Sequence, residues 1–193
     1  MTLYPEQLRA LDYLKRKGTD APADEIRSKL ADAFDKLEAA VAAVPVSLRQ
    51  VAPGPGKWSV HEILDHLVES NHPALGQLMF LLDGRTPEGA AIPASLQSAD
   101  PLSRPWRQVV AELEALHTAF LRILERATDS HRLDVSAPVV IVVKVQRPDG
   151  SLEPVQWEER LDWKAFVQAL RVHTLEHLSQ VTRTVTEVSA VND

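Results

Sequence analysis

The stretch Arg171-Val-His173-Thr-Leu-Glu-His177-Leu178 lies within a segment, 162–188, that has the apolar periodicity of an α-helix. Residues four apart on a helix project from the same face. His173 and His177 therefore have the spacing with which one helix gives two imidazole nitrogens to one metal ion. The apolar stripe of this helix consists of Phe166, Leu170, His173, His177, Val181, Val185 and Val188. Histidines inside such a stripe need partners, either a shared metal ion or neighbouring polar side chains.

Three further long segments have the same helical period. They are 22–44, 59–82 and 104–127, and a shorter helical segment, 5–17, precedes them. Gly18 is expected to end the short helix, since glycine commonly follows the last helical residue. Four long amphipathic helices favour an all-α four-helix bundle. A chain of 193 residues is long enough to form this bundle as a single domain over residues 1–193.

Two segments break the helical pattern. Residues 83–105 are rich in Gly, Pro, Ala and Ser and predict a long loop, of the kind that is often functional or mobile. The β-branched run Val139–Val145 does not suit a helix, and the turn signal Arg147-Pro-Asp-Gly150 follows it. We therefore expect 151–157 to return antiparallel, as the second strand of a small β-hairpin inserted before the last helix. A buried loop is the alternative.

Composition excludes several classes of function. The formal net charge is −6, from 21 Lys+Arg and 27 Asp+Glu, which argues against nucleic-acid binding and against anionic membranes. No apolar run is long enough to span a bilayer, and no signal peptide is evident, so we expect a cytoplasmic protein. The chain has seven histidines and no cysteine. A bound transition metal would therefore need imidazole or carboxylate ligands, and disulfides and a thiolate of the protein itself are excluded.

A third histidine of interest, His66, lies on the second long helix. By the 3.6-residue period it lies about 60° from the centre of the apolar face, so it should border the core and face a neighbouring helix. His61 and His72 are expected on the solvated side. His61 and His66 are five residues apart, which is one residue too many for the paired ligands of a zincin helix. His117 is expected to be partly buried without a partner, and His131 to lie in a loop.

Two glutamates lie close to these histidines in the sequence. Glu62 forms a capping-box pattern with Ser59 at the start of the second long helix. Because Glu62 also lies one turn before His66, it is a candidate for orienting an imidazole or for general-base catalysis. Capping alone is the simpler interpretation. Glu176 is expected to point away from the neighbouring histidines and has no assigned role.

The two segments Lys57-Trp-Ser-Val-His-Glu-Ile-Leu-Asp-His-Leu67 and His173-Thr-Leu-Glu-His-Leu-Ser-Gln180 resemble the DinB-like family of small metalloproteins. The chain length and the order of the helices also fit. The resemblance implies a four-helix bundle with a long crossover connection. It implies that His66, His173 and His177 are the ligands of a divalent ion, most often zinc or nickel. Homodimers are common among these relatives.

The resemblance also implies a choice of chemistry. Several relatives are transferases or isomerases that use a low-molecular-weight thiol such as bacillithiol, mycothiol or glutathione. We expect a metal-dependent thiol S-transferase or a hydrolase that acts on a small electrophile. Since the chain has no cysteine, a nucleophilic thiol would have to arrive as a cosubstrate. The alternative is a non-catalytic, stress-related protein that binds a metal or a small ligand, with residues 83–105 as a lid or a partner-binding surface.

Overall fold

The computed structural model describes residues 3–192 as five α-helices and one β-hairpin. The elements are α1 (Pro5–Asp20), α2 (Ala23–Ala42), α3 (Val60–Leu82), α4 (Trp106–Leu124), β1 (Ala137–Gln146), β2 (Leu152–Leu161) and α5 (Trp163–Asn192). Single turns of 3-10 helix at Val46–Leu48 and Pro101–Ser103 precede α3 and α4. No helix within these residues is long and apolar enough to cross a lipid bilayer.

Helices α2 to α5 form a bundle in which spatial order differs from chain order. Helix α2 packs against α4 and α5, and α3 packs against the same two helices. The consecutive helices α2 and α3 therefore occupy opposite corners, and so do α4 and α5. The predicted crossover before the last helix is present and contains the hairpin. The shorter connection between α2 and α3 also crosses the bundle, so α3 and α5 become neighbours and their histidines can meet.

The apolar stripes predicted from the sequence form the core. On α2, Leu30, Phe34 and Leu37 are each at most 1% exposed. Trp163, the first residue of α5, is fully buried and packs in the part of the core that includes residues of the hairpin. Burying a side chain of this size stabilises the fold by roughly 1.5–3 kcal/mol, and such contributions are what hold an amphipathic helix in place.

Gly18 lies inside α1, and the prediction that it ends this helix is wrong. The helix continues to Asp20, and Gly18 is buried against α5. A methyl group on Gly18 would lie 2.6 Å from the Cα atom of Ala165 and 2.8 Å from its backbone nitrogen. Glycine is required here because two helix backbones approach each other closely. Periodicity within one helix cannot reveal such a contact.

The predicted β-hairpin is confirmed, and the buried-loop alternative is excluded. Its strands pair antiparallel without a break, from Ala137 opposite Leu161 to Gln146 opposite Leu152, and they are longer than predicted. In the connecting turn, Gly150 has a φ of 84°, which glycine adopts at little cost. Strand β1 packs against α1 and α5. The hairpin therefore lies along the side of the bundle that carries the histidine pair.

Candidate metal centre

His66, His173 and His177 converge between α3 and α5. The Nε2 atom of His173 lies 3.1 Å from Nε2 of His66 and 3.1 Å from Nε2 of His177. One ring nitrogen from each of the three residues lies within 4.8 Å of the other two. The crossed connections of the bundle thus bring together residues that are far apart in the sequence, since His177 lies 111 positions after His66.

Two of the three rings are held in a defined tautomer. The Nδ1 atom of His66 lies 2.7 Å from the carbonyl oxygen of Leu96, and Nδ1 of His177 lies 2.9 Å from Oε1 of Gln180. Both partners are acceptors, so each Nδ1 carries the hydrogen and donates it. In a neutral ring the opposite nitrogen, Nε2, then carries a lone pair. Two lone pairs are therefore aimed at the Nε2 atom of His173.

Burial favours the neutral form of all three rings. Burial, together with the nearby His66, lowers the pKa of His177 to about 4, although the hydrogen bond to Gln180 opposes the shift. It also lowers the pKa of His173 well below its usual value, with contributions from His177 and His66. The pKa of His66 is lowered by burial, although the Leu96 carbonyl and the charge of Asp65 oppose the shift. The neutral imidazole is the form that binds a metal ion.

The donor set fits a divalent cation. Without one, Nε2 of His173 can direct a single N–H between two acceptors, and lone pairs of neighbouring rings face one another at close range. Imidazole nitrogens about 2.0–2.1 Å from a tetrahedral ion would be roughly 3.3–3.4 Å apart, and the two observed separations of 3.1 Å are slightly shorter than this. Three protein ligands leave a coordination position open, as in catalytic rather than structural sites. An all-histidine set suits zinc, nickel, copper or iron.

The long loop 83–105 is fastened to α3 through Asp65, a residue that the sequence reasoning missed. Asp65 is fully buried. Its carboxylate accepts hydrogen bonds from the backbone N–H and the hydroxyl of Ser98, both at 2.8 Å, and from Arg104 at 3.2 Å. Because Leu96 lies two residues before Ser98, this anchor also fixes the carbonyl that orients His66. An aspartate next to a candidate ligand, on the inner side of a helix, was the only available signal.

Glu62 completes the capping box at the start of α3. Its Oε2 atom accepts from the backbone N–H of Ser59 and from the Ser59 hydroxyl, both at 2.7 Å, and Ser59 Oγ accepts from the Glu62 backbone N–H at 3.3 Å. This is the simpler of the two interpretations offered above. Glu62 is not among the described residues that line the cavity next to the histidines.

A cavity of about 550 Å³ opens beside the three histidines. It lies between α1, α3, β1 and α5, and the loop residues Ile92–Ala94 complete its wall. Most of its lining is apolar, with valines and an isoleucine from β1 facing Phe166 and Leu170 of α5. The inserted hairpin therefore shapes the space in front of the histidines.

Glu176 also lines this cavity, a position that the sequence reasoning did not anticipate. Partial burial raises the pKa of its carboxyl group, and the charge of Lys144 opposes the shift. Glu176 is nevertheless exposed to solvent. Helical periodicity alone placed Glu176 off the histidine face, and it did not account for β1, which encloses that flank of α5.

His61 is buried, and the prediction that it is solvated is wrong. The side chain is fully inaccessible to solvent. Its Nδ1 atom lies 3.2 Å from Nε2 of Gln50, and its ring meets the ring of Trp106 edge-on, with centroids 5.6 Å apart. The α2–α3 connection and the start of α4 thus cover a face of α3 that has polar residues in the sequence. His72 is exposed, as predicted, and lies 2.7 Å from Glu112.

His117 is more buried than predicted and has partners. It is 2% exposed, and its ring stacks on Phe34 with a centroid distance of 3.7 Å. Its Nδ1 atom lies 2.6 Å from Oε1 of Glu38. Burial lowers the pKa of His117 to about 4. His131 lies in a loop, as predicted.

Fold and site together define a small four-helix-bundle protein with crossed connections and a three-histidine cluster on its inner wall. A family model described as the DinB superfamily matches residues 29–181, and the chain belongs to this superfamily. No curated protein sequence shows a significant match.

Two solved structures are similar to this chain in fold. YfiT from Bacillus subtilis is 19% identical with a TM-score of 0.62, and the match covers 86% of this chain and 87% of YfiT. YfiT is described as a probable metal-dependent hydrolase with an unusual four-helix bundle topology. TT2238, a four-helix bundle protein, is 14% identical with a TM-score of 0.54, and the match covers 83% of this chain and 98% of TT2238. At these identities the likeness supports the fold alone.

Proposed function

We propose that this chain is a divalent-metal-dependent enzyme whose ion is held by His66, His173 and His177, and that it acts on a small electrophile. The observation that carries the proposal is the convergence of three imidazoles on the wall of a cavity of about 550 Å³. An open three-ligand centre beside a space for a ligand is the arrangement of a catalytic site. The description of YfiT as a probable metal-dependent hydrolase supports the hydrolase branch.

The chain's own groups have separate roles in this proposal. A bound divalent ion supplies Lewis acidity toward a carbonyl group and makes a water or a thiol more acidic. The Leu96 carbonyl and the Gln180 amide fix the ring orientations of His66 and His177. The apolar walls limit access of bulk water to the reacting groups. Glu176 is the carboxyl group on the cavity wall that is available to pass a proton to solvent.

Hydrolysis and thiol S-transfer differ in the nucleophile. In hydrolysis, the oxygen of water forms a bond to the electrophilic carbon, the leaving group takes the bonding pair, and a proton of the water ends on the leaving group or in solvent. In S-transfer, the sulfur of a thiol cosubstrate forms that bond, and the thiol proton is released in the same way. Because the chain has no cysteine, the second reaction depends strictly on added thiol of the bacillithiol, mycothiol or glutathione type.

The test uses purified, zinc- or nickel-loaded protein with a panel of activated esters and other small electrophiles, each with and without added thiol. We expect turnover from the wild type and from His72→Ala, an exposed histidine of the same helix, and none from His66→Ala. Thiol-dependent turnover supports the transferase branch, and thiol-independent turnover supports the hydrolase branch. If the wild type shows no turnover above His66→Ala, the enzymatic proposal is wrong, and metal or ligand binding without chemistry replaces it.

A further inference from the structure

Strand β1 has an open edge. It pairs with β2 on one side, and within residues 3–192 it pairs with no other strand. In an antiparallel pair, every second residue directs both its backbone N–H and its backbone C=O away from the partner strand. Such an edge is a template for pairing with another extended chain, and proteins commonly cover or shorten it.

The register of the hairpin decides which residues of β1 have these outward-facing groups. The backbone N–H of Arg147 donates to the carbonyl oxygen of Ser151 at 2.8 Å, so the two residues form a hydrogen-bonded pair next to the turn. The ladder continues from there without a break to the start of β1. Because bonded and non-bonded pairs alternate, the odd-numbered residues of β1 bond to β2 and the even-numbered residues direct their backbone groups outward.

Two prolines agree with this assignment. Pro138 on β1 and Pro154 on β2 have no N–H, and both fall at non-bonded positions of the register. Val140 and Val142 therefore each present an N–H and a C=O at the open edge. Outside the β1–β2 ladder, no backbone–backbone hydrogen bond between described residues involves either valine.

The open edge faces the cavity beside the histidines. The six consecutive residues Pro138–Val143 all line this cavity, whereas no described residue of β2 does. A cavity that met only one face of the strand would be lined by every second residue. The cavity therefore lies beside β1, on the side away from β2. Val142 is 38% exposed, so solvent reaches the strand there.

The edge leads toward the histidines. Burial raises the pKa of the Glu176 carboxyl group, and the charge of Lys144 opposes the shift. Lys144 directly follows the lined stretch of β1, and Glu176 lies on α5 between the two histidines of that helix. The Val143 end of the stretch is therefore its histidine end. Six strand residues span about 17 Å, which matches an extended peptide of roughly four to five residues.

We propose that the open edge of β1 binds a short peptide in an extended conformation, which pairs with the backbone N–H and C=O groups of Val140 and Val142 as a third strand. Main-chain hydrogen bonds supply affinity in this mode of recognition, and the apolar walls accept small side chains. The inference rests on the proposed function in one respect: the bound peptide would present its reacting bond to His66, His173 and His177. The pairing itself needs neither a metal ion nor turnover, so the two proposals can fail separately.

The test measures amide hydrogen exchange along β1 by NMR in the isotope-labelled full chain, both zinc-loaded and after treatment with a chelator. The probe is tetra-alanine blocked by an acetyl group and an N-methylamide, so it carries no charge. The control ligand is the same peptide methylated on its two central nitrogens, which removes two donors and keeps the rest of the backbone. Binding constants come from chemical-shift titrations.

Two proline variants separate the edges of the hairpin. Val142→Pro removes an outward-facing donor of β1. Gln156→Pro is the matched control, because Gln156 lies opposite Val142 and directs its N–H to the outer edge of β2, away from the cavity. If Val142→Pro does not fold, the methylated peptide tests the same pairing from the side of the ligand.

In the free protein, we expect the N–H groups of Val140 and Val142 to exchange at least about tenfold faster than those of Val139 and Ile141, which bond to β2. Saturating peptide should slow exchange at Val140 and Val142 roughly tenfold, with or without zinc. Val142→Pro and the methylated peptide should each weaken binding by about tenfold or more, the usual worth of one hydrogen bond. Gln156→Pro should bind like the wild type.

Several results would overturn the inference. They are slow exchange at Val140 and Val142 in the free protein, no binding of the blocked peptide, equal binding of the methylated peptide, and a folded Val142→Pro variant that binds like Gln156→Pro. Protection of the two valines by the peptide without any turnover supports the inference even if the enzymatic proposal fails.

Discussion

The Nδ1–H of His66 donates to the backbone carbonyl oxygen of Leu96 across 2.7 Å, and this hydrogen bond joins the long loop 83–105 to the histidine cluster. It leaves Nε2 of His66 with a lone pair directed toward His173, 3.1 Å away. The loop therefore acts as a support for the candidate centre. Partners of this kind orient a ligand and raise its affinity for the ion.

Replacing Asp65 by Asn should weaken metal binding without removing a ligand. The substitution removes the negative charge that pairs with Arg104. It also replaces one carboxylate oxygen, which accepts from Ser98, by an NH2 group, which can only donate. The loop should loosen and Leu96 should no longer hold His66. We expect a loss of metal affinity of roughly tenfold or more, measured by competition with a chelator of known affinity. Glu88→Gln, an exposed carboxylate of the same loop, is the control and should leave the affinity unchanged. Equal affinities in wild type and Asp65→Asn would contradict this role of the loop.

Replacing Gly18 by Ala should destabilise the fold, because the new Cβ would overlap the backbone of Ala165 at 2.6 Å. We expect the free energy of unfolding to fall by about 1–3 kcal/mol, which is the usual cost of overpacking. Gly76→Ala is the matched control. Gly76 lies in the interior of α3 with open space around its Cα atom, so alanine there should stabilise by roughly 0.5–1 kcal/mol. Urea denaturation of the two variants measures both effects, and a Gly18→Ala variant as stable as the wild type would rule out the close contact.

His117 should make stability depend on pH. In the unfolded chain, His117 binds a proton with its ordinary pKa of 6.5. In the folded protein, burial lowers the pKa of His117 to about 4. Between these values the unfolded state binds more protons, so the free energy of unfolding falls as the pH decreases from 7 toward 4. A shift from 6.5 to about 4 corresponds to about 3 kcal/mol at most.

The variant His117→Gln isolates this contribution. Glutamine does not titrate and can still donate to Glu38, whose own pKa is raised by burial. Denaturant unfolding at pH 7, 6, 5 and 4 should therefore show a steeper loss of stability in the wild type than in the variant. Parallel curves would mean that His117 is not held neutral by the fold.

The sequence predicts the helices and the three histidines because both depend on local periodicity. The stripe of α5, with His173 and His177 inside it, indicates a candidate pair of metal ligands, and the family resemblance adds His66. His61 was misplaced because its burial comes from Trp106 and Gln50, which lie on other elements.

The same limit explains what else was missed. The roles of Asp65 and Gly18 arise from a loop and a helix that approach them from far away in the sequence. The roles of these residues depend on contacts between elements, which the pattern within a single element does not reveal.

The most direct measurement is the metal content of the purified, untagged protein, determined by elemental analysis next to the double variant His173→Ala/His177→Ala and the control His72→Ala. We predict about one equivalent of a divalent metal in the wild type and in His72→Ala, and its loss in the double variant, which should keep its helical circular dichroism. No metal in the wild type even after reconstitution with zinc or nickel, or equal metal in the wild type and the double variant, would contradict the assignment of His66, His173 and His177 as a metal centre.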